Sequence, residues 1–293
     1  MPTQNHVENP FEYVIERASW MYEDIRRAFY TPVRRHVADS PPSIRRIEVA
    51  DLWAALREGM HDLGVARSDV IFIAIVYPLM GLVLAGLILN ADLLPLVLPL
   101  VSGFALLGPI AAVGLYEVSR RIEAGEPVSW STPFEVLRSR SFSSILGVGA
   151  ILALIFVAWL AVAWGVYAVT LGPEPPASVG AFVRDVFTTG AGWAMIVFGT
   201  AVGFLFAAFT YAIGVISFPL MLDRDEGMGA AMRASLQAVA ENPVPMTIWG
   251  AVIAGLLILG SIPALAGLIL VMPLLGHASW RLYRRLVVEE ETD

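Results

Sequence analysis

The chain has 293 residues, of which 57% are hydrophobic and 15% charged; a soluble domain carries about 45–50% and about 25%. Windows free of Asp, Glu, Lys and Arg at 70–91, 93–116, 141–173, 186–222 and 242–280 total 155 residues, more than half the chain, which excludes a soluble fold and predicts an all-α polytopic membrane protein. There is no Cys and no Lys, all 19 basic residues being Arg, and the net charge is −7, so thiol and thiolate–metal chemistry, Schiff-base lysines and a nucleic-acid partner are excluded.

Residues 1–43 form a charged cytoplasmic segment with no apolar signal-peptide core. Within it Phe11, Val14, Ile15, Ala18, Met21, Ile25 and Phe29 recur at helical spacing, which predicts an amphipathic helix over 10–30. Its apolar face suits the membrane surface, a protein partner or the protein's own loops. The mixture of Glu12, Glu16, Glu23 and Asp24 with Arg17, Arg26 and Arg27 favours protein packing over a purely anionic lipid surface. Asp39-Ser-Pro-Pro-Ser43 reads as a linker, and Asp51 as the N-cap of a helix carrying Leu52, Ala55, Leu56 and Leu63 on one side.

Residues 44–286 are expected to hold six transmembrane helices arranged as three hairpins, with interfacial amphipathic helices between them. The spans are Val70–Asn90, Leu93–Tyr116, Ser144–Thr170, the window 186–222, Pro245–Gly260 and Pro263–Tyr283. The window 186–222 would reach about 55 Å as a helix and is expected to be one long helix kinked near Gly214 or Pro219. The break Gly260-Ser-Ile-Pro263 divides the last two spans. With this count and a cytoplasmic N-terminus, 18 of 19 Arg fall on the cytoplasmic side, as the positive-inside rule requires. Both termini are then cytoplasmic, and residues 287–293 are an acidic cytoplasmic tail.

An internal repeat runs through the hairpins. At a spacing of 164, Pro109, Tyr116, Arg120 and Arg121 align with Pro273, Trp280, Arg284 and Arg285. At a spacing of 102, Tyr116, Gly125, Phe134, Leu137 and Ser141 align with Phe218, Gly227, Leu236, Val239 and Pro243. Three tandem units follow, each an interfacial helix and a hairpin.

Polar chemistry collects at the span ends. Glu117, Arg120 and Arg121 close the second span, Asp223, Arg224 and Asp225 close the fourth, and His277 and Arg284 lie on the sixth. Such a cluster either gates a cavity or docks a partner, or it marks the membrane boundary and pairs locally. The acidic run at 223–226 lacks the third oxygen ligand and distal Glu of a calcium loop. His277 is the one His in or near a span, which cannot make a bis-His haem site, and no span carries a charge at its centre. No catalytic residue, metal or cofactor is expected.

The strings Tyr77-Pro-Leu-Met-Gly81, Gly103-Phe-Ala-Leu-Leu-Gly-Pro109, Gly114-Leu-Tyr-Glu-Val-Ser-Arg-Arg121, Ser217-Phe-Pro-Leu-Met-Leu-Asp-Arg224 and Gly276-His-Ala-Ser-Trp-Arg-Leu-Tyr-Arg284 resemble one family of bacterial integral membrane proteins, that of domain of unknown function 2189. The resemblance runs from Ile44 to Leu286. It implies a bacterial inner-membrane location and a multi-span fold, and brings no activity with it. The expected role is a non-enzymatic accessory, scaffold or assembly component with the lipid bilayer, a membrane-protein partner or a second copy as its contacts. The alternative is a small-solute or lipid transporter or channel.

Overall fold

The apolar runs fold as helices. The computed structural model describes residues 42–66, 86, 91–104, 108–263 and 265–288. Among them the regular structure is helical, with one antiparallel bridge between Ile44 and Val287. The N-terminal amphipathic helix predicted over 10–30, the acidic tail beyond Val288, and the first predicted span apart from Gly86 lie outside the described residues.

Helix α1 (Val49–Ala66) buries Leu52, Ala55, Gly59 and Asp62, which recur along one stripe. Asp51 is its third residue and not its N-cap. Its carboxylate accepts the Glu48 N–H at 2.9 Å, the reach-back arm of a capping box, which satisfies one of the donors left open at a helix start.

The second predicted span is segmented. A 3-10 helix at Ala91–Leu96 leads into α2 (Val97–Phe104), and α3 (Gly108–Ala111) leads into α4 (Val113–Glu123). Pro95, Pro99 and Pro109 each remove a backbone donor, so this run does not form one straight helix. The apolar piece Leu93–Gly103 is short for a bilayer. Gly103 explains how it packs. A Cβ there would stand 2.6 Å from the Phe156 ring and 2.8 Å from Trp159, and the Trp159 indole donates to the Pro99 carbonyl at 3.0 Å.

A second 3-10 helix (Thr132–Arg138) precedes α5 (Phe142–Thr170), the third predicted span. It stops before Gly172, whose φ of 102° suits only glycine, and Pro173. The window at 186–222 divides twice. Helix α6 (Val179–Thr188) ends at an extended Thr189, whose hydroxyl accepts the Gly192 N–H at 2.9 Å and so caps α7 (Gly190–Gly214). The chain breaks again after Gly214 and resumes as α8 (Ser217–Arg224), with Pro219 in the first turn, where its missing N–H is tolerated.

Helix α9 (Met228–Glu241) leads directly into α10 (Pro243–Ser261), the fifth predicted span. The sixth begins later than expected, as α11 (Leu268–Leu286). The turn before it needs Leu265 at φ 68° and brings Gly260 against Gly267. Among the described residues, three helices are long and apolar enough to cross a membrane: Phe142–Thr170, Gly190–Arg224 counted through its break, and Pro243–Ser261. Helix α11 is not among them because its second half is polar, with His277, Arg281, Arg284 and Arg285.

The main core gathers at one end of these helices, here termed the base. It joins Leu52 and Ala55 of α1, Tyr116 of α4, Val148 and Leu152 of α5, Phe218 and Leu220 of α8, Ala234 of α9 and Trp280, Tyr283 and Leu286 of α11. A smaller cluster around Trp159, Ala163 and Phe206 ties α5 to α7 farther along.

Candidate functional site: the charged base

Three helices meet at the base, and each carries a short helix against it. The 3-10 helix at 132–138 packs on α4, α9 on α8, and α1 on α11, while α4 also touches both α8 and α11. The points of closest approach recur in the sequence. A Cβ on Gly59 would lie 2.6 Å from the Ala278 nitrogen, and one on Gly114 would lie 2.8 Å from Pro133. The third approach places Ser235 Oγ 3.4 Å from the Ile216 N–H, which donates to it. Gly114, Ile216 and Ala278 are related by the spacings of 102 and 164 seen in the sequence, and Pro133 and Ser235 by 102. Tyr116, Phe218 and Trp280, related in the same way, are 3%, 0% and 1% exposed.

The polar groups are built on this frame. Asp62 falls on the buried stripe of α1 and is 0% exposed. Arg281 of α11 binds it through two bonds, Nε to Oδ2 at 2.9 Å and Nη2 to Oδ1 at 2.8 Å. Ser119 of α4 donates its hydroxyl to the same carboxylate at 2.8 Å. That hydroxyl has one proton, so it accepts from Nδ1–H of His277, 2.8 Å away. Asp62, Ser119, His277 and Arg281 thus form one chain of bonds across α1, α4 and α11, with the first three fully buried.

Glu117, with 6% of its side chain exposed, accepts both Nε and Nη2 of Arg120 at 2.8 Å and Nε of Arg121 at 3.0 Å. Burial pushes its carboxyl pKa up, but the two guanidinium groups outweigh burial and hold it below the ordinary value. The hydrogen bonds to Glu117 raise Arg120 correspondingly. Arg121 also reaches Glu135 of the following 3-10 helix.

Arg284 bridges two acids on different helices, Glu123 of α4 at 3.0 Å and Asp223 of α8 at 3.3 Å. Each acid has a second donor from α11: the Trp280 indole to Glu123 at 2.8 Å and the Tyr283 hydroxyl to Asp223 at 2.6 Å. Arg285 pairs with Asp51 and Glu58 of α1. Arg224 donates to the Val288 carbonyl at 2.5 Å, and Asp225, in left-handed conformation at φ 50°, accepts the Ser141 hydroxyl at 2.6 Å. The chain before α1 is stitched to the end of α11 by Arg45 N–H to Leu286 O at 2.7 Å and Val288 N–H to Ser43 O at 3.2 Å. Asn242 clamps the same stretch, accepting the Ile47 N–H at 2.8 Å.

The structure therefore brings Arg284 to Asp223, and Glu117 to Arg120 and Arg121. It places His277 in the buried chain that reaches Glu123 through Arg281 at 4.0 Å, and it holds Arg224 and Asp225 on the backbone of the C-terminal stretch and on Ser141. Sequence reasoning missed Asp62, Ser119, Glu123, Arg281 and Arg285. Asp62 was readable, because it continues the 52, 55, 59 stripe, and Arg285 is the spacing-164 counterpart of Arg121. Ser119 and Glu123 carried no signal of their own.

No curated protein and no solved structure matches the chain. Residues 97–223, a narrower stretch than Ile44–Leu286, match one family, that described as predicted integral membrane protein, DUF2189.

Proposed function

We propose that this membrane protein is a non-enzymatic accessory or scaffold component of a bacterial inner-membrane complex. Its six spans are arranged as three tandem units around the charged base, and both termini are cytoplasmic. The orientation is supported by 18 of 19 Arg falling on one side of the six-span arrangement. The three units are supported by the recurrence of the close approaches at 114, 216 and 278, and by the pairing of each short helix with the hairpin end before it, α1 closing the set on α11.

The observation that carries the scaffold role is the contrast in how charge and apolar surface are used. At the base, acids from α1, α4 and α8 are bound by arginines of α11, Glu117 by those of its own helix, which fixes one arrangement of helices. Helix α7, by contrast, turns Val197, Phe198, Phe204, Leu205 and Phe209 outward, each more than half exposed. A rigid base holding open apolar helices suits a protein that presents spans to other membrane helices.

Extraction in a gentle detergent followed by size analysis and identification of bound chains tests the role. A stoichiometric membrane-protein partner, or a defined homo-oligomer, is expected. A clean monomer overturns the scaffold reading, and a monomer that moves solute across liposomes replaces it with transport.

A further inference from the structure

Two groups stand out among the arginines at the base, five on α4 and α11 and three on the short helices, with Arg45, Arg46, Arg140 and Arg224 in neither. Arg120, Arg121, Arg281, Arg284 and Arg285 are all bound to carboxylates. Arg57, Arg138 and Arg233 are exposed and, among the described residues, have no carboxylate partner. These three sit one on each of the short helices, α1, 132–138 and α9.

Each unpaired guanidinium has an exposed apolar side chain beside it on the same helix. Arg57 lies between Trp53, 52% exposed and four residues before it, and Met60, 53% exposed and three after. Arg138, in a 3-10 helix, follows Leu137, 60% exposed, which stacks one turn after Phe134, 43% exposed, and Arg233 precedes Leu236, 45% exposed, by three. Phe134 and Leu236 are repeat partners at spacing 102, and Met60 stands 74 residues before Phe134 just as Gly59 stands 74 before Pro133. The same outward position is therefore apolar in all three units. The helices 132–138 and α9 run within a few residues into the spans α5 and α10, which sets these faces at the level where a bilayer begins.

We propose that these three outward faces bind anionic phospholipid, the guanidinium taking the headgroup phosphate and the neighbouring apolar side chain entering the acyl boundary. A planar guanidinium with no carboxylate partner among the described residues matches phosphate oxygens through two donors. An apolar residue within one turn favours a lipid over a free anion or an acidic peptide. Glu241, which accepts from Gln237 at 2.7 Å, places a negative charge near the α9 face, so that site is the weakest of the three. The inference rests on the three-unit arrangement and does not require the scaffold role.

Native mass spectrometry of the full chain tests it, after delipidation and addition of phosphatidylglycerol or phosphatidylcholine in equal amounts. Wild type is expected to retain phosphatidylglycerol preferentially. The combined variant Arg57→Gln, Arg138→Gln, Arg233→Gln is expected to lose that preference by about fivefold per arginine, while Arg→Lys at all three, which keeps the charge and loses the two-donor fork, retains part of it. Arg184→Gln, an exposed arginine on α6, leaves it unchanged. Met60→Ser with Leu236→Ser retains the charges and weakens retention, which separates lipid from bare phosphate. Equal retention of the two lipids by wild type, an unchanged preference in the Gln variant, or displacement of phosphatidylglycerol by inorganic phosphate alone or by an acidic peptide overturns the proposal. The partner analysis above reads a different outcome, so either idea can fail without the other.

Discussion

At the base, Trp280, Tyr283, Phe218 and Leu52 are each less than 2% exposed, whereas on α7 Phe204 is 69% and Leu205 65% exposed. These side chains are similarly apolar and differ in what surrounds them. At the base water competes, so apolar side chains are driven inward and every deep carboxylate is met by a guanidinium or hydroxyl donor. Along the spans the surroundings are lipid tails as apolar as leucine, and nothing drives a Phe away from them. The base thus holds the arrangement of helices, and the spans are held through it and through local contacts such as Trp159 on Gly103 and Gly203. Substitutions should accordingly be severe at the base and mild along the spans.

The largest effect is expected from Asp62→Asn. It leaves Arg281, whose side chain is 15% exposed, with Glu123 at 4.0 Å as its one remaining anion, and it turns one of the two oxygens that accept from Arg281 and Ser119 into a donor. Breaking one side of a buried pair costs about 3–5 kcal/mol. Thermal melting in detergent should show a large fall, and Asp62→Leu with Arg281→Met should recover much of it. If Asp62→Asn melts as wild type does, the base is not what fixes the helices.

Glycine substitutions sharpen the comparison next. Gly59→Ala places a methyl 2.6 Å from the backbone of Ala278, which cannot swing aside as a side chain can. A cost of about 1–3 kcal/mol follows. Gly114→Ala meets Pro133 in the equivalent approach and should behave alike. Gly199→Ala on α7 meets nothing within 4 Å and gains helix propensity, so it should be neutral or slightly stabilising. Similar losses at Gly59 and Gly199 would erase the distinction between the two regions.

Glu117 gives a smaller, pH-dependent effect. Its folded pKa lies below the unfolded value, so its contribution is fully present above the ordinary glutamate value of about 4.3 and is lost as pH falls through the lower folded value. Arg120 is 38% exposed, so screening limits the contribution to about 1 kcal/mol. The melting difference between wild type and Glu117→Gln should be constant near neutral pH and close in acid. A difference that widens on acidification would contradict the pairing.

The spans were more legible than the base because a bilayer imposes length and hydropathy on every crossing segment. Ser144–Thr170 and Pro245–Gly260 were read to within two residues of α5 and α10. Where proline or threonine chemistry cuts across an apolar run, hydropathy misleads, as at Pro95 and Pro99 in the second predicted span and at Thr189 before α7. The base depends on partners far apart in sequence. Asp62 and Arg281 are 219 residues apart, and Arg284 and Asp223 are 61 apart. Composition placed Glu117, Asp223 and Arg284 at helix ends, but which acid meets which arginine is set by how three helices cross. The repeat came closest to exposing that geometry, because its aligned aromatics are the residues buried at the crossing.

The smallest expected effect tests the other half of the comparison. Phe204→Ala on α7 removes a side chain that faces outward and contributes little internal packing, so its melting temperature in detergent should correspond to a change within about 0.5 kcal/mol. The same substitution should matter where a protein neighbour covers that surface. If the scaffold reading holds, Phe204→Ala will leave the isolated chain intact yet weaken recovery of its partner, because a truncated aromatic at a helix–helix contact forfeits packing that lipid cannot replace. An unchanged melt together with unchanged partner recovery assigns Phe204 to lipid and moves the contact surface to another face of α7 or to α10.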